Sequence, residues 1–482
     1  MRRFRSALLA LPVVALPFFV ACEDGNNSSS SGGFTVPEGG GFEAGPPSEA
    51  GPVAEGGTDA SIDTFVPPKG AKVTVTKNGA AAADIRVIAH DATGAVTGDV
   101  KTNATGVANF ATAPSMITVL TRSYGTSPAA ITYMGVADGD ALNVVVPDYG
   151  PEDGTFATFQ ASVNPFVGAL SYSFSVGGNN CGAFAPGNAP AATNISLYPY
   201  CLKAQNAVLV SANGDGSTLG FGFLKNQAKP AAAATVALPA MTLAAKGTLT
   251  LSATNIPADT FQDAQLSSIA NGAGFYTGDR NGALNEGGFT FDMATGFAEA
   301  LQTIVVATKN QGPAIGKAFL RREASNNTAA QTMAFDFATA LPFITNAVAG
   351  GAVPARAEVT IAADGSLATT DGGIVRLRWN VAGGAIPQPS WSFVVPPGTT
   401  SLKVPALPTD ADAAPYLPQT GVTVKDVFFL ESTLLPGYAQ AMATPLSSDG
   451  EPPVGTDVHT PLPLNGTVKI TVWNRYLILI PG

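Results

Sequence analysis

Lys72-Val-Thr-Val-Thr76, Asn78-Gly79, Ile85-Arg-Val-Ile-Ala89, Asp91-Ala-Thr-Gly94 and Thr102-Asn-Ala-Thr-Gly106 follow one another in close succession. In each run β-branched or apolar residues alternate with other positions, and each break carries the Asn, Asp or Gly whose dihedrals suit tight turns. Alternation at a period of two sets Val73 with Val75, and Ile85 with Val87 and Ala89, on single faces of half-buried strands. The same rhythm returns at Ala207-Val-Leu-Val-Ser211, Ile304-Val-Val-Ala-Thr308 and Val468-Lys-Ile-Thr-Val472. Turn signals recur at Asn213-Gly214, Asp215-Gly216, Asn281-Gly282 and Asp364-Gly365. Short strands so punctuated predict an all-β chain of sandwiches or barrels. Met293 to Leu301 is the one stretch expected to form a helix.

The first of these stretches runs on through Phe110 to Ile117-Thr-Val-Leu120. Gly79, Ile85, Val87, Asp91, Gly94, Thr102, Gly106 and Phe110 sit where the carboxypeptidase-regulatory-like (transthyretin-like) β-sandwich carries its turn and strand residues. Residues 68–148 resemble that family. The resemblance implies a sandwich fold and little about function, since such modules serve as spacers, adhesion units and enzyme appendages.

A repeat organises the middle of the chain. Val208-Leu-Val-Ser-Ala-Asn-Gly resembles Ile304-Val-Val-Ala-Thr-Lys-Asn, and Leu219-Gly-Phe-Gly-Phe-Leu224 resembles Ile315-Gly-Lys-Ala-Phe-Leu320. Thr235-Val-Ala-Leu pairs with Thr332-Met-Ala-Phe, and Ala161-Ser-Val-Asn-Pro165 with Ala253-Thr-Asn-Ile-Pro257. A period of about 95 residues is the size of an immunoglobulin-like sandwich. It sets modules at 149–247 and 248–343. The remainder, 344–482, forms a C-terminal β domain in which Arg376-Leu-Arg-Trp379 and Ser390-Trp-Ser-Phe-Val-Val395 are expected to pair as strands. The folded part is thus a string of about four β-sandwich modules.

Upstream, Arg2, Arg3 and Arg5 precede an apolar run from Ala7 to Ala21, the form of a secretory signal peptide over residues 1–21. Pro12 and Pro17 interrupt the run, which suits a transmembrane helix poorly. Val20-Ala21-Cys22 resembles the end of a bacterial lipoprotein signal, with Phe19 where Leu is usual. The resemblance implies that Cys22 is the lipid attachment site. Residues 23–67 contain eight acids, no Lys or Arg, and much Gly, Pro and Ser, so 22–67 reads as a disordered tether.

Composition narrows the function. Of 482 residues only 12% are charged, against about 25% on average, and the net charge is −10. An acidic chain is poorly suited to nucleic-acid phosphates, so no nucleic-acid partner is expected. Two histidines and three cysteines exclude a Cys/His zinc framework. With Cys22 assigned to lipid, Cys181 and Cys201 are expected to form a disulfide in an exported protein.

His90 and His459 read as solvated turn or loop histidines, since no Gly-x-Ser-x-Gly elbow accompanies them. Asp279-Arg-Asn-Gly282 with Glu286, Asp138-Gly-Asp140 and Asp410-Ala-Asp412 offer hard oxygens for calcium but lack the spacing of a calcium loop. Trp379, Trp391 and Trp473 read mainly as core, with Trp379 and Trp391 the candidates for a sugar-stacking face. No catalytic residue, metal ligand or cofactor is expected. The reading is a lipid-anchored cell-envelope protein, outer-membrane or surface-exposed, with a structural, adhesive or ligand-binding role and no catalysis. Its partners would be the membrane, through the anchor, and a cell-surface protein or polysaccharide. The alternatives are a carbohydrate- or calcium-binding module protein, or a polysaccharide or peptide hydrolase with an acidic pair in 344–482.

Overall fold

Turn chemistry and alternation build one strand plan three times and a variant of it once. The computed structural model describes residues 70–77, 80–123, 127–146, 155–177, 181–187, 192–198, 201–282, 288–312, 314–324, 328–351, 353–380, 388–433, 435, 437–444, 446–447 and 467–475. The signal peptide, tether, Cys22, Glu286 and His459 lie outside them. The all-β expectation holds.

The first unit contains β1 (Ala71–Lys77), β2 (Arg86–His90), β3 (Val96–Lys101), β4 (Val107–Phe110), β5 (Met116–Ser123), β6 (Ser127–Met134) and β7 (Ala141–Val146). Strand β1 pairs antiparallel with β4 and parallel with β7, and the facing sheet runs β3-β2-β5-β6. The turn residues have specific work to do. Asp91 Oδ1 accepts from the amides of Thr93 and Ala95 and the Thr93 hydroxyl, and Gly94 follows at φ 79°. The Thr102 hydroxyl donates to Ala82 O and accepts from Ile85 N, closing the neighbouring loop.

The second unit holds β8 (Ala157–Ala161), β9 (Ser171–Val176), β10 (Cys181–Pro186), β11 (Thr193–Leu197), β12 (Gln205–Asn213), β13 (Thr218–Ala228) and β14 (Thr235–Ala237). The third holds β15 (Gly247–Thr254), β16 (Phe261–Ala270), β17 (Ala273–Gly282), β18 (Phe289–Met293), β19 (Ala300–Asn310), β20 (Ala314–Ala324) and β21 (Ala330–Asp336). Both repeat the first plan. The first strand lies between the fourth, antiparallel, and the seventh, parallel, and the other sheet runs third-second-fifth-sixth. Every segment pair of the sequence repeat falls on equivalent strands or their ends. The strand order differs from the ABED/CFG arrangement of constant-type immunoglobulin domains.

The fourth unit departs at one place. It contains β22 (Ile344–Gly350), β23 (Glu358–Ala363), β24 (Gly372–Asn380), β25 (Ser390–Val395), β26 (Ser401–Lys403), β27 (Thr420–Ser432) and β28 (Val468–Arg475). Its larger sheet, β25-β24-β27-β28, follows the plan, including the expected β24–β25 pairing. The slot beside β23 that a seventh strand fills elsewhere is taken by β22, entering from the N-terminal side and antiparallel.

Three of the four larger sheets fuse edge to edge. Strand β20 pairs antiparallel with β28, and β25 pairs parallel with β6, giving one twelve-stranded sheet that joins units three, four and one in that order. Its middle is buried on both faces. Leu377, Trp391, Phe393 and Phe429 pack into one core, and Ile374, Val394, Phe428, Leu430 and Ile470 into another shared with Val73, Val75 and Val119 of the first unit. This explains the unbroken apolar run Val427-Phe-Phe-Leu430, which half-buried strands would not need.

The short helix α1 (Tyr438–Ala443) is the single α-helix among the described residues. It lies over the seam between β6 and β25, where the Tyr438 hydroxyl contacts Met134 O at 2.6 Å and Val394 O at 3.0 Å. The helix expected over Met293–Leu301 is absent. Met293 closes β18, Thr295–Phe297 make a turn that buries Phe297, and Ala300 opens β19. A buried aromatic at the corner where the chain crosses from the smaller sheet to the larger mimics the spacing of a short apolar helix face.

Candidate binding face on the second unit

The second unit stands outside the fused sheet and docks on the third. Ala207, Leu209 and Phe221, from the outer face of β12 and β13, pack with Ala270, Ala273, Phe275 and Phe297. Phe297 sits 5.3 Å from Phe223 and 5.0 Å from Phe275, the latter edge to face. Asn226 and Asn271, both with positive φ, exchange hydrogen bonds of 3.0 and 2.6 Å, and Lys203 Nζ donates to Gly272 O.

Among the described residues that docking leaves uncovered the outer side of β9 and β10, where the serines are half-buried. Strands alternate, so Tyr172, Phe174 and Val176 of β9 fill the core while Ser171, Ser173 and Ser175 point outward. On β10, Cys181 and Ala185 go inward and Phe184 stands out, 63% exposed. Ser173 lies opposite Phe184 on one side and Ser211 on the other, and Ser171 lies opposite Pro186 and Asn213. The Asn213 amide donates to Ser173 Oγ at 3.1 Å. The result is a lattice of hydroxyls edged by one exposed ring.

At the end of this lattice, Leu170 N donates to Asn213 O and Gly187 N donates to Leu170 O. There the loop from Pro165 to Leu170, with Gly187, lines an open concavity of about 790 Å³. Val167 is 95% exposed and Leu170 61%. Apolar side chains so displayed on a monomer commonly mark interaction sites.

The disulfide expected between Cys181 and Cys201 is present, with Cα atoms 6.0 Å apart and both residues buried. It fastens the start of β10, the edge strand that carries Phe184. One sequence signal went unread. Residues 155–202 contain no Asp, Glu, Lys, Arg or His, so the exposed ring, the loop and the β9 serines of the lattice come from an uncharged segment, while Ser211 and Asn213 are supplied by β12.

The other candidates are placed differently. His90 is fully buried, which corrects the solvated-turn reading. Its Nε2 lies 2.9 Å from Thr118 Oγ1, which is 2.7 Å from Thr132 Oγ1, and Trp391 Nε1 donates to Thr132 at 2.8 Å. This chain of buried polar groups crosses β2, β5, β6 and β25. Burial, reinforced by the Arg356 guanidinium, pulls the imidazole pKa down to about 4, against a small opposing pull from Asp91.

Trp379 and Trp391 are buried, and Trp391 stacks on Phe393 at 5.4 Å, so neither offers a sugar platform. Trp473 is buried too. Asp138 accepts from the amides of Gly70 and Ala113, and Asp140 from that of Ala137. Asp410 accepts two bonds from Arg86 at 2.7 and 2.6 Å, while Asp99 takes two more from the same guanidinium. That clamp ties the first unit to the fourth and holds the Asp410 carboxyl well below the usual range. Asp279 to Gly282 lie within strand β17, paired to β16, and not in a loop. Among the described residues no group of three His, Cys, Asp or Glu is placed to hold a metal ion. Nor is any helix among them long and apolar enough to cross a membrane.

No protein-family model and no curated protein matches the chain. Solved structures give faint likenesses. The Bacillus anthracis TIE protein is 8% identical over 56% of this chain and 50% of its own, with a TM-score of 0.14. A Ca2+-stabilized adhesin by which an Antarctic bacterium binds ice is 10% identical over 73% and 86%, at 0.11. The alpha-2-macroglobulin of E. coli is 11% identical over 73% and 26%, at 0.12. The chain thus spans half the length of the Bacillus anthracis chain. Likenesses at these scores carry no functional argument.

Proposed function

We propose that this is an exported, non-catalytic display protein of the cell envelope, anchored by lipid at Cys22, that makes contact through the part of its second unit's outer face formed by β9, β10 and the Pro165–Leu170 loop. The observation that carries this reading is the open part of that face. It presents Phe184, the serine lattice and the Val167–Leu170 loop from the one unit left out of the twelve-stranded sheet. Three units share one sheet, and an aromatic contact docks the second unit on them. A preorganised face loses little conformational freedom on binding.

The buried disulfide supports an oxidising compartment and therefore export. A non-catalytic role is supported by how the candidate groups are occupied: His90 is buried against Thr118, and the paired acids serve turns or the Arg86 clamp. The carboxypeptidase-regulatory-like reading of residues 68–148 is supported by the way Asp91, Gly94 and Thr102 close its turns.

The test has two parts. Cys22→Ser should move the chain from the membrane fraction to the soluble fraction; retention on membranes refutes the anchor. Beads coated with the full chain should adhere to cell or matrix surfaces, and the triple variant Val167→Ser/Leu170→Ser/Phe184→Ala should abolish adhesion. Equal adhesion by the variant refutes the display face.

A further inference from the structure

We infer that the partner of this face is a neutral polysaccharide, with Phe184 as the stacking platform and Ser171, Ser173, Ser211 and Asn213 as its hydroxyl-binding lattice. The inference rests on the display reading above and specifies its ligand. Charge is the first argument. Phe184, Ser171 and Ser173 come from a segment with no Asp, Glu, Lys, Arg or His, and Ser211 and Asn213 add no charge, so the lattice itself offers a charged polymer no counter-ion and such a ligand would lose hydration without recompense. The nearest cation in sequence, Lys203, already donates to Gly272 O. An uncharged ligand meets no such barrier.

The second argument is the pairing of ring and hydroxyls. Sugar rings present an apolar C–H face that stacks on aromatic side chains, and a rim of hydroxyls that both donate and accept. Phe184 stands exposed beside Ser173 in the same cross-strand row as Ser211. Each serine hydroxyl has donor and acceptor capacity, and the Asn213 amide orients that of Ser173. Residues two apart on β9 lie about 6.7 Å from each other and neighbouring strands about 4.8 Å apart, so polar groups recur across the face at a spacing that sugar hydroxyls can bridge.

The third argument is continuity with the docking contact on the third unit. The open rows are the direct extension of Leu209 and Phe221, which are already packed there. One side of the face is held by that contact and the other by the Cys181–Cys201 bond. The buried tryptophans remove the alternative stacking residues from contention.

The experiment is depletion of the full chain from solution by microcrystalline cellulose and by chitin, with alginate as the charged comparison. One of the neutral polymers should retain the chain, and retention should persist to about 1 M salt because no ion pair is involved. Phe184→Ala should weaken retention about tenfold, and Ser173→Ala/Ser211→Ala should weaken it further, whereas Val348→Ser, at an exposed position of the fourth unit, should leave it unchanged. Phe184 is too exposed for its loss to unfold the unit. No retention on either neutral polymer overturns the proposal. So does retention on alginate alone, or retention that depends on Val167 and Leu170 but not on Phe184. If bead adhesion still needs the face while both neutral polymers fail, the polysaccharide is wrong and the display reading stands.

Discussion

His90 gives the most quantitative test of the seam between the first and fourth units. Its ring is fully buried, with Nε2 on Thr118 and, among the described residues, no hydrogen-bond partner for Nδ1. The charged groups acting on it are Arg356, which opposes protonation, and Asp91, which weakly favours it. In the folded chain the pKa falls to about 4 from the ordinary 6.5. Between those values the unfolded chain binds the proton and the folded chain does not, so stability falls as pH drops from 6.5 towards 4 and is level above 6.5. A shift of this size corresponds to about 3 kcal/mol once pH lies below both values, most of it lost by about pH 4.5. The perturbation is His90→Gln, which keeps a polar atom near Thr118 and removes the titration. Urea midpoints followed by tryptophan fluorescence, at about pH 7.5 and pH 4.5, give the slope for each chain. Trp391 reports locally because its indole donates to Thr132 in the same chain of hydrogen bonds. The variant should lose roughly 2–3 kcal/mol less than the native chain over that interval, whatever its absolute stability. His459 and the carboxylates are common to both chains and cancel. Parallel slopes would refute the buried-neutral account of His90.

Two further outcomes follow from the packing. Cys181→Ala/Cys201→Ala opens a loop closed across 20 residues; the second unit should lose about 3 kcal/mol and Phe184-dependent retention should weaken, whereas unchanged melting would refute the brace. Tyr438→Phe removes the hydroxyl bonded to Met134 O and Val394 O; a loss of about 1–2 kcal/mol, with faster proteolysis near α1, is expected, and an unchanged protease pattern would show that the helix does not latch the seam.

Much of this architecture was legible along the chain, for identifiable reasons. Alternation at Val73 and Val75 marks a strand whatever it packs against, and Gly94 and Gly106 mark turns because their positive φ suits glycine. The disulfide was legible from cysteine arithmetic and compartment. The Trp379 and Trp391 strands announced their pairing by β-branched and aromatic content. The misreadings have equally local causes. Met293 to Leu301 has the composition of an amphipathic turn of helix, and only the pocket that receives Phe297 decides otherwise. His90 precedes a turn, which on a lone sandwich would be wet. It is buried because the fourth unit packs on that face.

The sequence by itself determined the strands, the turns, the repeat and the uncharged segment from 155 to 202, because those depend on residues close together in the chain. Tertiary structure alone decided that units three, four and one share a sheet, that β22 fills the seventh-strand slot of the fourth unit, and that part of the second unit's outer face stays open. Backbone hydrogen bonds at a strand edge are the same for every sequence, so which edge meets which is written only in the side chains that pack above and below once the edges have met.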